Sequence, residues 1–484
     1  MTAFSGQKRT ELAQLGIIGC GVMGGNLALN FVDHGISVQV YDENPSSMEH
    51  YAKLNKSDTY LGFSDNIEDF VTELSSPRSI LLMIPAGKPV ESALSKLYTL
   101  LSPGDILIDG GNTHPDESVK RALEIENRGF LYIGTGISGG SEGARNGPAI
   151  MPGGSEVAWK TVGPMFQAIS AKSKDGNPCC NWMGSGGAGH YVKTIHNGIE
   201  YAIMQLIAET YLIMHEVYKQ DHDGISKFFD KCSSGINDSF LVGITSQILK
   251  NHETSGIPAI DSLRDETHQK GTGGWTIELG LSHTIPCGIL AEGVFSRNLS
   301  CLNRNTETVK NSSEDALYNF NETIAEKIES ALYLATLLSF DQGLMILSAE
   351  KTKNHWPINL GQITETWRAG CILHGRPVET ITEELVKRPL ANSLFDTGIK
   401  ALIQEYVEDL REFVVAAMEA KTPIPCFSAA LAYVVGYSAP NLGANLVQAQ
   451  RDCFGAHSYR RIDQPDNKRF HRDWLGNGEE KLLP

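Results

Sequence analysis

Short apolar runs alternate with amphipathic stretches in the first part of the chain. Strands that alternate with helices in this way form a parallel sheet with helices on both faces. Ligands of such sheets bind at the carboxyl ends of the strands, where the polar turns 110–112 and 138–140 fall. The apolar runs are QLGIIG (14–19), SVQVYD (37–42), SILLMIPAG (79–87), DILIDGGN (105–112) and FLYIGTGISGG (130–140).

The pattern becomes helical near residue 184 and stays helical to about residue 445. One long helix is predicted after Gly189, with a single buried stripe at helical spacing. A second long buried helix is predicted over 329–350. Beyond residue 445 the chain is polar, spotted with aromatic residues and too poor in aliphatic residues to pack alone. The stripe consists of Val192, Ile195, Ile199, Ile203 and Leu206.

A glycine-rich turn follows the first predicted strand. Gly19, Gly21 and Gly24 form a GxGxxG motif that opens a helical run. The first glycine permits the tight turn, the second lets the backbone approach a pyrophosphate, and the third lets the helix pack on the strand. The helix N-terminus offers N–H groups to the phosphates. With an acid about 20 residues on, the motif predicts a dinucleotide site that includes Val22 and Met23. The alternative is an ordinary glycine-rich turn.

Two carboxylates, Asp42 and Glu43, end the second predicted strand. Asp42 lies 18 residues after Gly24, where a carboxylate can accept both ribose hydroxyls of NAD. The same charge repels the 2′-phosphate of NADP. The alternative, a solvated turn acid before Pro45, suits Glu43 and is weaker for Asp42. The expected cofactor is NAD, with NADP as the alternative.

Composition narrows the class of protein. The 484 residues are 41% hydrophobic and 20% charged, and the formal net charge is −16. This charge argues against non-specific nucleic-acid binding but not against a small anionic substrate in a locally basic pocket. We find no apolar run that would span a bilayer and no secretory signal, so we expect no membrane association.

The cysteine pattern bears on compartment and metal content. The chain has nine cysteines, an odd number. Without an export signal, reduced thiols in the cytoplasm are the simplest interpretation. No Cys/His cluster has the spacing of zinc ligands, so we expect no metal.

One face of the helix after Gly189 carries reactive side chains. Lys193, His196, Asn197, Glu200 and Tyr201 share this face because they stand at i, i+3, i+4, i+7 and i+8. A lysine whose charged form is disfavoured by burial can act as a base, and its protonated form can then stabilise an enolate. Spacing alone favours the alternative, a solvated face with a Lys–Glu pair.

Four motifs resemble one known family. Together, and in the same order, they are similar to 6-phosphogluconate dehydrogenase, the decarboxylating enzyme of the pentose phosphate pathway. The resemblance runs from about residue 15 to residue 474. It implies an α/β Rossmann-like N-terminal domain, a large all-α domain and an extended C-terminal tail that reaches the partner subunit of a homodimer. The motifs are SGGSEGARNGPAIMPGG (138–154), GAGHYVKTIHNGIEY (187–201), QKGTGGWT (269–276) and QAQRDCFGAHSY (448–459).

The resulting domain boundaries are 1–13 for a flexible N-terminal extension, 14–186 for the dinucleotide-binding domain, 187–445 for the helical substrate and dimerisation domain, and 446–484 for the tail. By resemblance, Lys193 is the general base and Glu200 the general acid. The resemblance also implies the contacts of the substrate, 6-phosphogluconate. Its carboxylate and hydroxyl end would contact Ser138, Gly139, Gly140, His196, Asn197 and Asn112, the last of which also belongs to the cofactor site. Its phosphate end would contact Tyr201, Lys270, Thr272 and Arg297, together with Arg451 and His457 from the partner's tail.

The chain departs from the family pattern where the adenosine of the cofactor would lie. The usual Asn-Arg-Thr after the second strand is Asp42-Glu43-Asn44 here, and Pro85 stands where the family often has lysine. Both cations that would hold the NADP 2′-phosphate are missing, which supports NAD. Two other functions stay open: a sister β-hydroxyacid dehydrogenase with a different substrate, and a non-catalytic sugar-phosphate-binding relative.

Overall fold

The computed structural model describes residues 12–269, 271–302, 304 and 321–483. Lys270 and most of the predicted N-terminal extension lie outside the described residues. Of the extension, Ala13 is buried and pairs with Leu74 beside the sheet. Among these described residues, those up to 431 form one compact unit and those from 432 onwards form a second.

A seven-stranded sheet dominates the N-terminal part, in the order β3-β2-β1-β4-β5-β6-β7. Strands β1 to β6 pair in parallel, and β7 pairs antiparallel with β6. The prediction of a doubly wound sheet is confirmed, although β3 and β7 were not expected. The strands are β1 Leu15–Ile18, β2 Val38–Tyr41, β3 Leu61–Ser64, β4 Ser79–Leu82, β5 Ile106–Asp109, β6 Leu131–Ser138 and β7 Ala149–Gly154.

Helices cover both faces of this sheet. One core contains Phe31 and Phe166, and the other contains Phe70 and Leu94. The fully buried strands carry the apolar runs that a two-sided sheet requires. The helices are α1 Val22–Asp33, α2 Pro45–Leu54, α3 Ile67–Thr72, α4 Lys88–Leu97, α5 Pro115–Asn127, α6 Gly140–Asn146 and α7 Glu156–Ile169.

The helical part confirms the predicted change of pattern. It consists of α8 Ala188–Glu216, α9 His222–Cys232, α10 Phe240–Leu249, α11 Thr272–Ser282, α12 Gly288–Ser300, α13 Glu322–Lys353, α14 Leu360–Thr366, α15 Arg376–Lys387, α16 Ile399–Glu419 and α17 Pro425–Ser438.

Helix α8 is buried on more than one face. It packs against β6 and β7 on one side and against α11, α12 and α13 on others. Ile195 and Ile199 of the predicted stripe are fully buried, but so is His196 on the reactive face. The prediction of one buried stripe was therefore too narrow, because helices from distant segments cover the second face. The solvated-face alternative for Lys193 is wrong for the same reason.

Helix α13 corrects the expectation that no apolar segment could span a membrane. It has 32 residues and is long and apolar enough to do so, yet 89% of its most apolar window is buried inside the protein. A central helix that neighbouring helices surround is apolar all round for this reason.

The second unit contains a helix and a hairpin that the sequence pattern did not predict. They are α18 Ala444–Gly455 and the antiparallel pair β8 Arg469–Arg472 and β9 Glu480–Leu483. Asp452 is fully buried and accepts hydrogen bonds from the backbone of Ser458 and Arg472 and from the Trp474 indole. A polar centre thus organises this aliphatic-poor segment, and the hydrogen bonds hold the pKa of Asp452 at about 2 in spite of its burial.

Candidate active site

The GxGxxG turn joins β1 to α1. Gly19 has a φ of +102°, and a Cβ there would lie 2.5 Å from the carbonyl oxygen of Met83. A Cβ on Gly24 would lie 1.9 Å from the Gly19 carbonyl oxygen, so α1 can begin this close to the turn only with glycine. A Cβ on Gly21 would meet nothing within 4 Å. Because α1 has no side-chain cap and no acid in its first turn, its N-terminus is available to an anion. Val22 is exposed beside it.

Asp42 links the end of β2 to this turn. One carboxylate oxygen accepts the backbone N–H of Cys20 at 2.5 Å, and the other accepts that of Asn44 at 2.7 Å. Each oxygen keeps a further lone pair, so the carboxylate can also accept ribose hydroxyls. The contact with Cys20 was not expected, and it gives Asp42 a second role in holding the turn.

A pocket of about 250 Å³ opens beside Asp42. The ends of β1 and β2, the segment after β4 and one face of α4 line it. Lys96 Nζ lies 3.5 Å from the Glu43 carboxylate. Sequence reasoning missed Lys96, which is remote from Asp42 along the chain; its one signal is the i, i+3, i+4, i+7 spacing of the lining face. That face consists of Pro89, Ser92, Ala93 and Lys96.

Asn112 stands on an exposed turn after β5. The buried carboxylate of Asp109, at the end of β5, accepts the Gly111 N–H at 3.0 Å and pairs with Arg121 at 2.5 Å. Arg121 also pairs with Glu91 of α4 at 2.6 Å. The buried Asp109–Arg121 pair fixes the turn that carries Asn112, and the exposed Glu91 side chain extends this network to the surface.

Lys193 lies on the side of α8 that packs against β6. Gly136 of β6 makes room for it, since a Cβ on Gly136 would lie 2.2 Å from the Lys193 Cβ. Lys193 is 8% exposed. Burial lowers the pKa of its ammonium group, and the nearby Glu200 carboxylate opposes that shift. Because the neutral amine is then more populated near neutral pH, Lys193 is suited to act as a base.

Glu200 lies two turns further along the same face of α8. Burial raises the pKa of its carboxyl group, while the charges of Lys193 and Arg297 oppose the increase. More of Glu200 is therefore protonated near neutral pH than in water. A base whose pKa falls and an acid whose pKa rises, on one rigid helix, are typical of an acid–base pair.

The buried ring of His196 connects Glu200 to the turn after β6. Its Nδ1 lies 3.2 Å from Asn197 Oδ1 and 3.8 Å from Glu200 Oε2. Its Nε2 lies 3.5 Å from Ser138 Oγ. Burial, then the charge of Lys193, lowers the pKa of the ring well below its usual value, so His196 is neutral. Acceptors at Nδ1 favour the proton there, which leaves Nε2 to accept from the Ser138 hydroxyl.

The segment around Trp367 supports this turn. The fully buried indole packs edge-on against the His196 ring, with centroids 5.6 Å apart. Gly139 has a φ of +109°, and a Cβ on it would lie 2.5 Å from the carbonyl oxygen of Gly370. A Cβ on Gly140 would meet nothing within 4 Å, so the turn borders open space. Nothing in the sequence pattern pointed to Trp367 or Gly370, which come from a distant segment.

The three predicted phosphate-end residues that the structure describes, Tyr201, Thr272 and Arg297, come together where α8 meets α11 and α12. Asn197 Nδ2 donates to Thr272 Oγ1 at 3.2 Å. The Arg297 guanidinium stacks 3.6 Å above the ring centroid of Tyr201, which orients its planar donor fork. Lys270, beside Thr272 in the chain, lies outside the described residues.

The last two predicted residues belong to the second unit. Arg451 and His457 are exposed at the end of α18 and just after it. Arg451 donates to Gln448 Oε1 at 3.1 Å. Their predicted role in a partner's site stays a prediction.

Family models match both parts of the chain. Residues 14–184 match the NAD binding domain of 6-phosphogluconate dehydrogenase, and residues 189–474 match the C-terminal domain of the same enzyme. The decarboxylating 6-phosphogluconate dehydrogenase 1 of Saccharomyces cerevisiae is 40% identical, over 96% of this chain and 98% of the relative. The enzyme of Drosophila melanogaster is 40% identical over 96% and 97%.

A solved structure shows the same architecture. The 6-phosphogluconate dehydrogenase of Plasmodium falciparum, described in its apo form and with its cofactor NADP+ and its substrate 6-phosphogluconate, is 34% identical. It superposes with a TM-score of 0.90 over 95% of this chain and all of that chain. The chain belongs to the 6-phosphogluconate dehydrogenase family.

Proposed function

We propose that the protein catalyses the oxidative decarboxylation of 6-phospho-D-gluconate to D-ribulose 5-phosphate and CO₂, a step of the pentose phosphate pathway, with NAD as the preferred hydride acceptor. The observation that carries this proposal is the pair formed by the buried Lys193 and the largely buried Glu200, whose pKa values shift in opposite directions on one face of α8. The family relationship supplies the substrate class.

The GxGxxG turn fits a dinucleotide. The space beside Gly21 and the uncapped N-terminus of α1 suit a pyrophosphate. Asp42 and the pocket beside it suit the adenosine end. When bound there, the nicotinamide cofactor supplies the acceptor for a hydride from C3 of the substrate.

Neutral Lys193 takes the proton of the substrate's 3-hydroxyl group, which lets that carbon become a ketone. Burial makes this possible because it removes the usual preference of lysine for its charged form. His196, neutral and hydrogen-bonded within the network to Ser138, holds the hydroxyl and carboxylate end of the substrate. Holding the substrate in the correct position can raise the rate of the chemical step by as much as acid–base catalysis does.

Lys193, now protonated and positively charged, then stabilises the enediolate that decarboxylation produces. The 3-keto acid loses CO₂ because the electrons of the breaking bond flow into the ketone, and the ammonium group of Lys193 balances the charge on the enediolate oxygen. Glu200 then protonates the carbon that was C2 of the substrate and becomes C1 of ribulose 5-phosphate. Its raised pKa keeps a proton available for this step.

Asp42 supports NAD over NADP. Placing the 2′-phosphate dianion beside Asp42 and Glu43 costs about 1–4 kcal/mol per close charge pair at moderate dielectric. A cost of about 1.4 kcal/mol already corresponds to tenfold in affinity. The relative from Plasmodium falciparum uses NADP+, so the preference here rests on this chain's own residues.

The test is kcat/KM for both cofactors with 6-phosphogluconate. We expect at least tenfold preference for NAD in the wild type and a shift towards NADP in Asp42→Asn/Glu43→Arg. Glu49→Arg is the matched control, because this exposed acid of α2 does not line the pocket. A wild type that uses NADP tenfold better would refute the role of Asp42.

The remaining features of the proposal concern assembly, metal and compartment. We propose a homodimer in which Arg451 and His457 complete the neighbour's site; the exposed apolar side chains of the tail, including Leu446, Phe454 and Ile462, support it. Catalysis is proposed to need no metal, and the described residues hold no group of three His, Cys, Asp or Glu side chains arranged for one. A cytoplasmic location agrees with nine free thiols.

A further inference from the structure

The adenosine pocket is lined by charged side chains of both signs. The face of α4 that ends in Lys96 lines it, and so do Asp42 and Glu43 just after β2. Among the described residues that line this pocket, Lys96 is the one cation. Its ammonium group lies 3.5 Å from the Glu43 carboxylate.

This ion pair is open to exchange. The Lys96 side chain is 50% exposed and that of Glu43 is 79% exposed. Exposed pairs of this kind contribute little to stability, so either partner can leave for a stronger one. A phosphate dianion carries more charge than a carboxylate and is such a partner for lysine.

Asp42 is less free to move. Two backbone N–H groups hold its carboxylate, one in the phosphate turn and one in the following turn. Asp42 therefore presents a fixed negative charge, whereas the charge of Glu43 acts partly through Lys96.

We propose that Lys96 is a specificity-determining residue and that Glu43 keeps it from serving a 2′-phosphate. In this arrangement Glu43 disfavours NADP binding mainly because its ion pair with Lys96 keeps the lysine from the 2′-phosphate. The loss of Glu43 alone then makes Lys96 available to the phosphate. The inference rests on the proposed use of the pocket for the adenosine of the cofactor.

Simple repulsion makes a different prediction. If Glu43 acted only by repelling the phosphate, its removal would improve phosphate binding to the same extent with or without Lys96. A double-mutant cycle over Glu43 and Lys96 separates the two explanations, because only an indirect action couples the two changes.

The experiment is calorimetric titration of 2′,5′-ADP and of 5′-AMP, which differ by the 2′-phosphate. The proteins are the wild type, Glu43→Gln, Lys96→Met and the double variant. We expect Glu43→Gln to bind 2′,5′-ADP about tenfold more tightly and 5′-AMP within twofold of the wild type. The double variant should return to within about threefold of the wild-type affinity for 2′,5′-ADP.

The control is Lys88→Met in the Glu43→Gln background. Lys88 is an exposed lysine of the same helix that does not line the pocket, and we expect the tenfold gain to survive its loss. Equal gains in Glu43→Gln and the double variant would overturn the proposal, and so would a gain that depends on Lys88. Failure of both nucleotides to bind the wild type would overturn it as well.

These titrations need no turnover, so their outcome does not depend on the proposed activity. A protein that shows the coupling but does not oxidise 6-phosphogluconate would refute the proposed function alone. A protein that turns over the substrate without the coupling would refute the role of Lys96 alone.

Discussion

Replacing Gly136 by alanine tests whether the position of Lys193 matters for catalysis. The new Cβ would lie 2.2 Å from the Cβ and 2.7 Å from the Cγ of Lys193. Ordinary van der Waals contact begins at 3.4 Å, so β6 and α8 must separate locally by about 1.2 Å. Gly136 is central in β6, where it pairs with Met151 of β7, so the strand cannot give way alone.

A displacement of about 1 Å at a reacting group can cost 10²-fold in rate. We therefore expect kcat of Gly136→Ala to fall by about 10²-fold. The KM for the cofactor should change little, because the phosphate turn follows β1, which β4 and β5 separate from β6 in the sheet. The assay is steady-state kinetics with 6-phosphogluconate and NAD, together with thermal unfolding to show that the variant is folded.

Gly243→Ala is the matched control. Gly243 lies in α10, and a Cβ on it would meet nothing within 4 Å, so activity should stay within about twofold of the wild type. A folded Gly136→Ala protein with normal kcat would refute the argument, since it would show that Lys193 can shift without consequence.

Two further predictions concern the stability of the protein around the buried Glu209 and the sharing of the active site between subunits. Glu209 is buried and accepts the N–H groups of Cys426 and Phe427, and burial raises its pKa from 4.5 to about 7. Ionising this carboxyl in the folded state costs about 3 kcal/mol. The unfolding free energy of the wild type should therefore fall relative to that of Glu209→Gln as pH rises from 4.5 to 7. Urea titrations that give the same difference in unfolding free energy between the two proteins at pH 5 and at pH 8 would contradict this. Mixed dimers of inactive Lys193→Met and inactive Arg451→Ala chains should regain activity, because one site is then intact; no recovery in dimers shown to be mixed would count against a shared site.

The phosphate turn and the strand ends were predictable because their signals are local. The GxGxxG motif and Asp42 lie within one strand–helix–strand unit, and the structure places Asp42 against the turn itself. The edge strand β7 was missed because its sequence, AIMPGG, contains a proline and two glycines and looks like a loop. Proline is tolerated at the edge of a sheet.

The burial of the reactive face of α8 could not be predicted from spacing. The periodicity of Lys193, His196 and Glu200 shows only that they share a face, and β6 and β7 cover part of that helix from far along the chain. Lys96 and Trp367 were missed for the same reason. They reach the site through the order of strands and the packing of helices, which no local pattern records.

The most direct test of the proposed chemistry is the stoichiometry of the reaction with 6-phosphogluconate labelled in its carboxyl group. Reduced NAD and labelled CO₂ are followed together, in the wild type and in Lys193→Met. We expect one CO₂ per reduced cofactor in the wild type, and turnover lower by about 10²–10⁴-fold or more in Lys193→Met with substrate binding partly retained. Cofactor reduction without CO₂ release, or near-normal turnover in Lys193→Met, would contradict the account.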